Sequence, residues 1–305
     1  MVDFIRYLAA KKTVDDRALN RAVWERLRAA LVDLALTRPV RILEVGCGIG
    51  TMVERLLDWG LAEQVQYVGG DSQAENIQVA YERIWDWARA KGYQCGHSNG
   101  EMVLEKRNII WQVRFQQADA TDYRASPAAF DVIIAQAFLD LVDVPTILSN
   151  FIHWLAPAGL CYFTINFDGG TIFEPVAEKE REEKIMRLYH QSMDTRLVDG
   201  HLAGDSQTGR HLFEQMREAG MEVLAAGSSD WVVYPGQEGY PADEAYFLHC
   251  ILNFFEESLT GNPELAANVL RTWLAERREQ IERRDLIYIA HQLDLLGQLP
   301  LGLKK

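Results

Sequence analysis

Leu19, Val23, Leu27, Leu31 and Leu34 recur three or four positions apart, the spacing that lays one apolar stripe along an α-helix. This predicts one amphipathic helix over 13–36, with Thr13 or Asp15 to cap it and Pro39 beyond its end. The period then changes. The β-branched run 40–45 predicts a strand; glycines interrupt it and helical spacing resumes over 51–59. A second strand over 65–70 and a helical pattern through Ile77, Ala80, Ile84 and Trp87 complete a βαβ unit, which points to a parallel sheet. The polar stretch 92–100 reads as a loop. Residues 102–105 and 109–118 read as a hairpin around Lys106, Arg107 and Asn108, its second arm being the third core strand.

The run 130–136 is almost wholly apolar, as a strand covered on both faces requires. Pro145 sits in the first turn of a helix ending near Leu155, and Pro157 to Gly159 turns the chain into a strand over 160–166. Beyond it a charged helix (174–193), a polar loop (204–209) and a helix (211–219) closed by Gly220 are expected. Two late strand regions, 222–226 with 231–234 and then 286–290, flank helices over 242–259 and 263–282, the second introduced by Asn262-Pro263.

The 305 residues are long enough to bury a sizeable core, and their net charge of −13 opposes binding to a phosphate backbone. No dense Lys/Arg stripe offsets it, so nucleic acid is not expected as a partner. Cys47, Cys95, Cys161 and Cys250 are too scattered for a zinc set and read as reduced thiols; no metal is expected. No charged-then-apolar leader opens the sequence, and apolar stretches such as 132–142 are too short to span a bilayer. A cytoplasmic protein without membrane contact is the expectation.

The chemistry concentrates in Leu43-Glu44-Val45-Gly46-Cys47-Gly48-Ile49-Gly50-Thr51. Glycines at a strand's carboxyl end let a ligand approach the backbone, with the amides of the next helix facing it. Dinucleotide sites space these glycines G-x-G-x-x-G; here Gly46, Gly48 and Gly50 run G-x-G-x-G after an acidic residue, which favours a ligand without a pyrophosphate. A glycine triplet alone also fits a tight turn.

The segment from Glu44 to Gly50 resembles the first motif of the class I S-adenosylmethionine-dependent methyltransferases. The resemblance implies S-adenosylmethionine as cofactor and continues in order along the chain. Asp71, in Gly69-Gly70-Asp71-Ser72, takes the place of the acid that binds the ribose hydroxyls, as a carboxylate can. Asp119, before Ala120, takes that of the acid receiving the adenine amino group, with the Ala120 amide available to a ring nitrogen. Gln136 and Ala137 resemble the segment beside the methionine moiety, and Pro157-Ala158-Gly159-Leu160 the turn before the fifth strand. Glu44 would orient the loop or meet the cofactor's ammonium. The implied cofactor set is therefore Glu44, Gly46, Cys47, Gly48, Gly50, Asp71, Ser72, Asp119, Ala120, Gln136 and Ala137.

The implied fold is α/β: a Rossmann-like, seven-stranded, mostly parallel sheet with helices on both faces. A helical cap is expected over 1–38 and the main domain over 39–305, carrying a lid insertion at 168–210 and a helical insertion at 240–284. The likeness is specific over 40–166 and looser to 290. It departs from the family in a long insert between the second and third strands and in a helical pair before the last strand.

Methyl transfer from a sulfonium is an in-line displacement that positioning and desolvation can drive, and a base is required only where the acceptor keeps its proton. No catalytic residue is dictated. Asp140, Tyr189, His190, Arg210 and His211 are acceptor-site candidates, with Phe138, Tyr7, Arg17, Asn20 and Asp194 as further ones, and each also reads as an ordinary structural residue. The expected reaction is methylation of oxygen or nitrogen on a small molecule. Ala135-Gln136-Ala137-Phe138 stands where nucleic-acid adenine methylases carry Asn/Asp-Pro-Pro-Tyr, which argues against that class. A nicotinamide-dependent oxidoreductase and a non-catalytic S-adenosylmethionine-binding protein are the alternatives, and a homodimer stays open.

Overall fold

The computed structural model describes residues 2–198 and 200–301; Met1 of the expected cap, Asp199 of the expected lid and residues 302–305 lie outside them. The stripe read as one helix is two, α1 (Phe4–Ala18) and α2 (Arg21–Ala35). Asn20 breaks it. Its side chain accepts from the N–H groups of Ala22 and Val23 as the cap of α2, and its own N–H donates to Asp294 at 2.7 Å.

The remaining elements are β1 (Val40–Val45), α3 (Thr51–Asp58), β2 (Gln64–Asp71), α4 (Ala74–Ala90), β3 (Gln94–Ser98), β4 (Glu101–Lys106), β5 (Ile109–Gln117), β6 (Phe130–Gln136), a 3-10 turn (Leu139–Leu141), α5 (Val144–Trp154) and β7 (Leu155–Glu174). They continue as α6 (Lys179–Asp194), the short pair β8 (Leu197–Val198) and β9 (His201–Leu202), α7 (Thr208–Glu218), β10 (Glu222–Ser228), β11 (Trp231–Val233), α8 (Glu244–Leu259), α9 (Ala267–Glu282) and β12 (Ile287–Gln298).

The main sheet runs β10-β12-β7-β6-β1-β2-β5-β4-β3, with β11 also paired to β12. β5, β2, β1, β6 and β7 are mutually parallel, and β12 is antiparallel to β7 and β10. Seven of the strands form the expected sheet; the expected hairpin arm at 102–105 (β4) and the segment at 231–234 (β11) also pair into it, and β3 brings it to ten. The stretch 92–100 is thus no plain loop: β3 pairs with β4 through a two-residue turn, Asn99 and Gly100, both at positive φ.

Two strands outrun their expected lengths. β7 pairs with β6 only as far as Thr164, then continues beside β12 to Glu174. β12 extends to Gln298, so the segment expected at 286–290 is its outlying half.

One face of the sheet buries Val40, Ile42, Tyr67 and Trp111 against α2, α3 and α4, and the other buries Leu43, Ile133, Ala135 and Phe163 against α5 and α7. A further core lies beyond the parallel region, where the extensions of β7 and β12, with β11, are covered by α1, α6, α8 and α9 through Phe173, Phe247, Phe255 and Trp273. At the amino-terminal end of β6, buried Asp131 is held by forks from Arg38 and Arg41. Burial alone would raise its pKa, but these bonds outweigh that and hold it at about 2.

Candidate active site

The order of the sheet reverses between β1 and β6, and there a cleft of about 740 Å³ opens at the strands' carboxyl ends. Gly46 and Gly48 are left-handed, at φ +66° and +51°. A Cβ on Gly46 would stand 2.6 Å from the Phe138 ring, and one on Gly48 would stand 3.3 Å from Leu8. The loop can pass beneath both side chains only because those positions are bare. Gly50 serves packing instead. It does not line the cleft, and a Cβ there would meet Ile84 and Phe115 at 3.1 Å, so it lets α3 seat on α4 and β5.

Asp71 ends β2 and is buried. Its Oδ2 accepts from the Gly48 N–H at 2.9 Å, while Oδ1 accepts from the Gln73 N–H at 2.9 Å and from Asn76 Nδ2 at 3.0 Å. One carboxylate therefore fixes the glycine loop and starts α4. Asp119 follows β5 and folds its own turn, Oδ1 accepting from the N–H and hydroxyl of Thr121 at 2.8 and 2.6 Å. Glu44 is buried on the cleft wall and accepts from the Tyr67 hydroxyl. Burial lifts its pKa to about 8, a rise that the Tyr67 bond and Arg55 oppose.

Gln136, at the end of β6, is clamped from two sides: Oε1 accepts from Arg55 Nη1 at 2.9 Å, and Nε2 donates to Asp15 Oδ2 at 2.7 Å. Arg55, on α3, also reaches Thr51 and Asp16, at 3.1 and 2.6 Å. Asp15 in turn holds Lys11 at 3.2 Å and accepts from Trp231 Nε1 at 2.9 Å. A buried polar network so joins α1 to the helix that follows the glycine loop, to β6 and to β11.

Of the residues expected at the cofactor, Glu44, Gly46, Cys47, Gly48, Asp71, Ser72, Asp119, Ala120, Gln136 and Ala137 all line this one cleft. Of the acceptor candidates Phe138 lines it too, and the others do not. Tyr189 stacks on Phe255 with ring centroids 3.7 Å apart, and burial pushes its pKa to about 12. His190 bonds Thr171 at 3.1 Å, and burial lowers its pKa. Arg210 forks onto Asp168 at 2.8 and 3.0 Å, and His211 bonds Asp205 at 2.8 Å. Half-buried Asp140 sits in the 3-10 turn outside the lining, while its neighbour Leu141 lines the cleft. Tyr7 packs on Phe247, Arg17 pairs with Glu244, and Asp194 accepts from the Ser206 N–H. None of the described residues of 168–210 lines the cleft; its cover is α1, through Phe4, Ile5, Leu8, Lys11 and Asp15.

Sequence reasoning missed these α1 residues and Arg55. A signal for Arg55 did exist: Glu54-Arg55 sits inside the apolar run Met52-Val53 to Leu56-Leu57, so both charges had to be buried and paired. Among the described residues no His, Cys, Asp and Glu group could hold a metal, and no helix is long and apolar enough to cross a membrane.

A sequence profile described as a methyltransferase domain matches residues 16–226. The tRNA N(3)-methylcytidine methyltransferase Mettl2 of Drosophila melanogaster is 25% identical over 135 residues, which is 43% of this chain and 36% of that protein. The alignment thus spans little more than a third of that relative's length. A Bacillus halodurans structure assigned to the methyltransferases is 13% identical with a TM-score of 0.49, over 90% of this chain and 98% of that one. A SAM-dependent methyltransferase from Methanosarcina mazei is 16% identical with a TM-score of 0.47, over 89% and 98%. Because the profile covers more than two thirds of the sequence and takes in the glycine loop, Asp71 and Asp119, the chain belongs to the methyltransferase-domain family, the S-adenosylmethionine-dependent class I enzymes.

Proposed function

We propose that the protein transfers a methyl group from S-adenosylmethionine to nitrogen or oxygen of a small molecule. The observation that carries this reading is the convergence of the glycine loop, Asp71 and Asp119–Ala120 on one cleft of about 740 Å³, a size that suits a small-molecule site. In this reading Asp71 receives the ribose hydroxyls while holding Gly48, Asp119 and the Ala120 amide take the adenine edge, and Gly46 to Gly48 face the methionine portion beside Gln136 and Ala137. The bound cofactor supplies an electrophilic methyl on a sulfonium. The chain's part is to hold that methyl in line with the acceptor and to keep water out, which α1 does by closing the cleft.

A second reading, methylation of tRNA, is favoured by the partial likeness to the Drosophila enzyme. Against it stand the net charge of −13 and the commitment of Lys11 to Asp15 within the cleft. Calorimetric titration with S-adenosylmethionine and with NAD(H), using wild type and Asp71→Ala, tests the cofactor. Two charge-assisted bonds at about 1.5–3 kcal/mol each predict a loss of at least about a hundredfold in the variant. Binding of NAD(H) with silence toward S-adenosylmethionine would sink the reading. Transfer of labelled methyl to bulk tRNA but to no amine or alcohol pool would decide for the second.

A further inference from the structure

The cleft is two unlike halves. One, from Glu44 through Asp119, is polar; the other is built from Val2, from the first turns of α1 (Phe4, Leu8) and from Phe138, Leu141 and Val142. Lys11 is the only basic residue among the described residues of the lining, and it lies 3.2 Å from Asp15 with 10% of its side chain exposed. No cation is thus left to meet a phosphate or carboxylate on an acceptor.

Phe4 and Leu141, facing this second half, are 48% and 46% exposed. Large apolar side chains held open to water at the mouth of a cleft mark a surface that a ligand covers. Both are fixed from behind. Asp3 caps α1 through the Arg6 N–H, its own N–H donates to the Tyr246 hydroxyl at 3.0 Å, and Arg6 pairs with Asp243 at 2.7 Å, so the turn presenting Phe4 is tied to α8. The turn presenting Leu141 is buttressed by Gly204, whose N–H donates to the Val142 carbonyl at 2.7 Å and where a Cβ would come within 2.4 Å of the Asp140 carbonyl oxygen. Surfaces held this rigidly are preorganised for a ligand.

We infer that the methyl acceptor is an uncharged molecule with an apolar or aromatic body, bound between the amino-terminal turn of α1 and the Leu139–Leu141 turn, beside Phe138. This deepens the methyltransferase reading and rests on it. The polar half takes the cofactor, the apolar half takes the body of the acceptor, and the nucleophilic atom projects from that body toward the polar half.

The test is a fluorescence titration of protein loaded with S-adenosylhomocysteine, using the neutral fluorophore N-phenyl-1-naphthylamine as probe and cytidine 5′-monophosphate as an anionic competitor. Variants Phe4→Asp and Leu141→Asp remove apolar contact at the mouth, and Val32→Asp, an exposed position on α2 (55% exposed), controls for adventitious sticking. One large apolar contact is worth about 1.5–3 kcal/mol, so with S-adenosylhomocysteine held at saturation for each variant, each mouth variant should weaken the probe by about ten- to a hundredfold, while Val32→Asp binds the probe as wild type does. A probe that does not bind the loaded protein, that binds the mouth variants as well as wild type, or that cytidine 5′-monophosphate displaces overturns the inference and leaves the cofactor reading standing. Failure of S-adenosylhomocysteine itself to bind overturns the cofactor reading and this inference with it.

Discussion

Arg55→Ala separates the buried network from the rest of the fold. The Arg55 side chain is 1% exposed and serves Asp16, Thr51, Gln136 and, at 3.6 Å, Asp15. Stripping one partner from a buried ion pair typically costs about 3–5 kcal/mol, because the other charge stays behind. Here the remaining groups are partly provided for. Asp15 keeps Lys11, Gln136 and Trp231, and Asp16, with 33% of its side chain exposed, keeps Lys12 at 2.6 Å. The amide oxygen of Gln136 and the hydroxyl oxygen of Thr51 lose their Arg55 donor. The expected loss is therefore near the lower end, about 3 kcal/mol, which for a chain of 305 residues lowers Tm by about 5 °C. Because Gln136 borders the cleft and α1 closes it, affinity for S-adenosylmethionine should fall about tenfold in parallel. Arg55→Lys should recover stability through Asp16 but not the fork that reaches Gln136. Urea unfolding followed by circular dichroism, with calorimetric titration of the cofactor, reads both quantities. A loss under about 1 kcal/mol with unchanged cofactor affinity would refute the reasoning and show that the network is dispensable.

Three other outcomes follow from named groups. Glu44 has its folded pKa raised from 4.5 to about 8, so between those values the unfolded chain sheds a proton that the native chain keeps; stability falls as pH rises through that window and levels above it. Glu44→Gln should flatten this limb in urea midpoints taken from pH 5 to pH 8, and an unchanged slope would count against it. Asp131, depressed from 3.8 to about 2, works in the opposite sense: its contribution is full above 3.8 and is lost as pH falls toward 2, so Asp131→Asn should flatten the acid limb and cost about 1–3 kcal/mol at neutral pH. Gly46→Ala combines left-handed strain with a contact 2.6 Å from Phe138, and should lose about 2–4 kcal/mol in thermal or urea unfolding together with cofactor binding.

The parallel core was legible because its strands are apolar on both faces and punctuated by glycine or proline: Val40–Val45, Phe130–Gln136 and the start of β7 all carry that signature. What escaped lacked it. β3 is an exposed edge strand with no apolar alternation, and its signal was the Asn99-Gly100 turn beside it. The break at Asn20 hid inside an unbroken apolar stripe, since Leu19 and Val23 keep helical spacing across it. The sequence Phe167-Asp168-Gly169-Gly170 reads as a turn, and only pairing with distant β12 keeps it in a strand. That Glu44, Gly46, Asp71, Asp119 and Gln136 would come together in one cleft was readable because they sit at fixed places relative to strand ends. The α1 lining was not, because nothing local tells a helix that covers a cleft from one that covers a core, and Tyr7 and Leu8 on the same helix do one each.

The fastening of α1 has a consequence for how such a protein can change. Its mates, Asp243, Glu244 and Tyr246 on or beside α8 and Trp231 on β11, lie more than 200 residues away along the chain. The methyltransferase match begins at 16 and ends at 226, so most of the first helix and all four of these mates fall outside it. With the acceptor bound as proposed, a new acceptor preference would require two distant segments to drift together. A transplanted first helix without its α8 would arrive with Arg6, Thr13 and Arg17 facing strangers, whereas the two exchanged as a pair would carry both the lid and its latch.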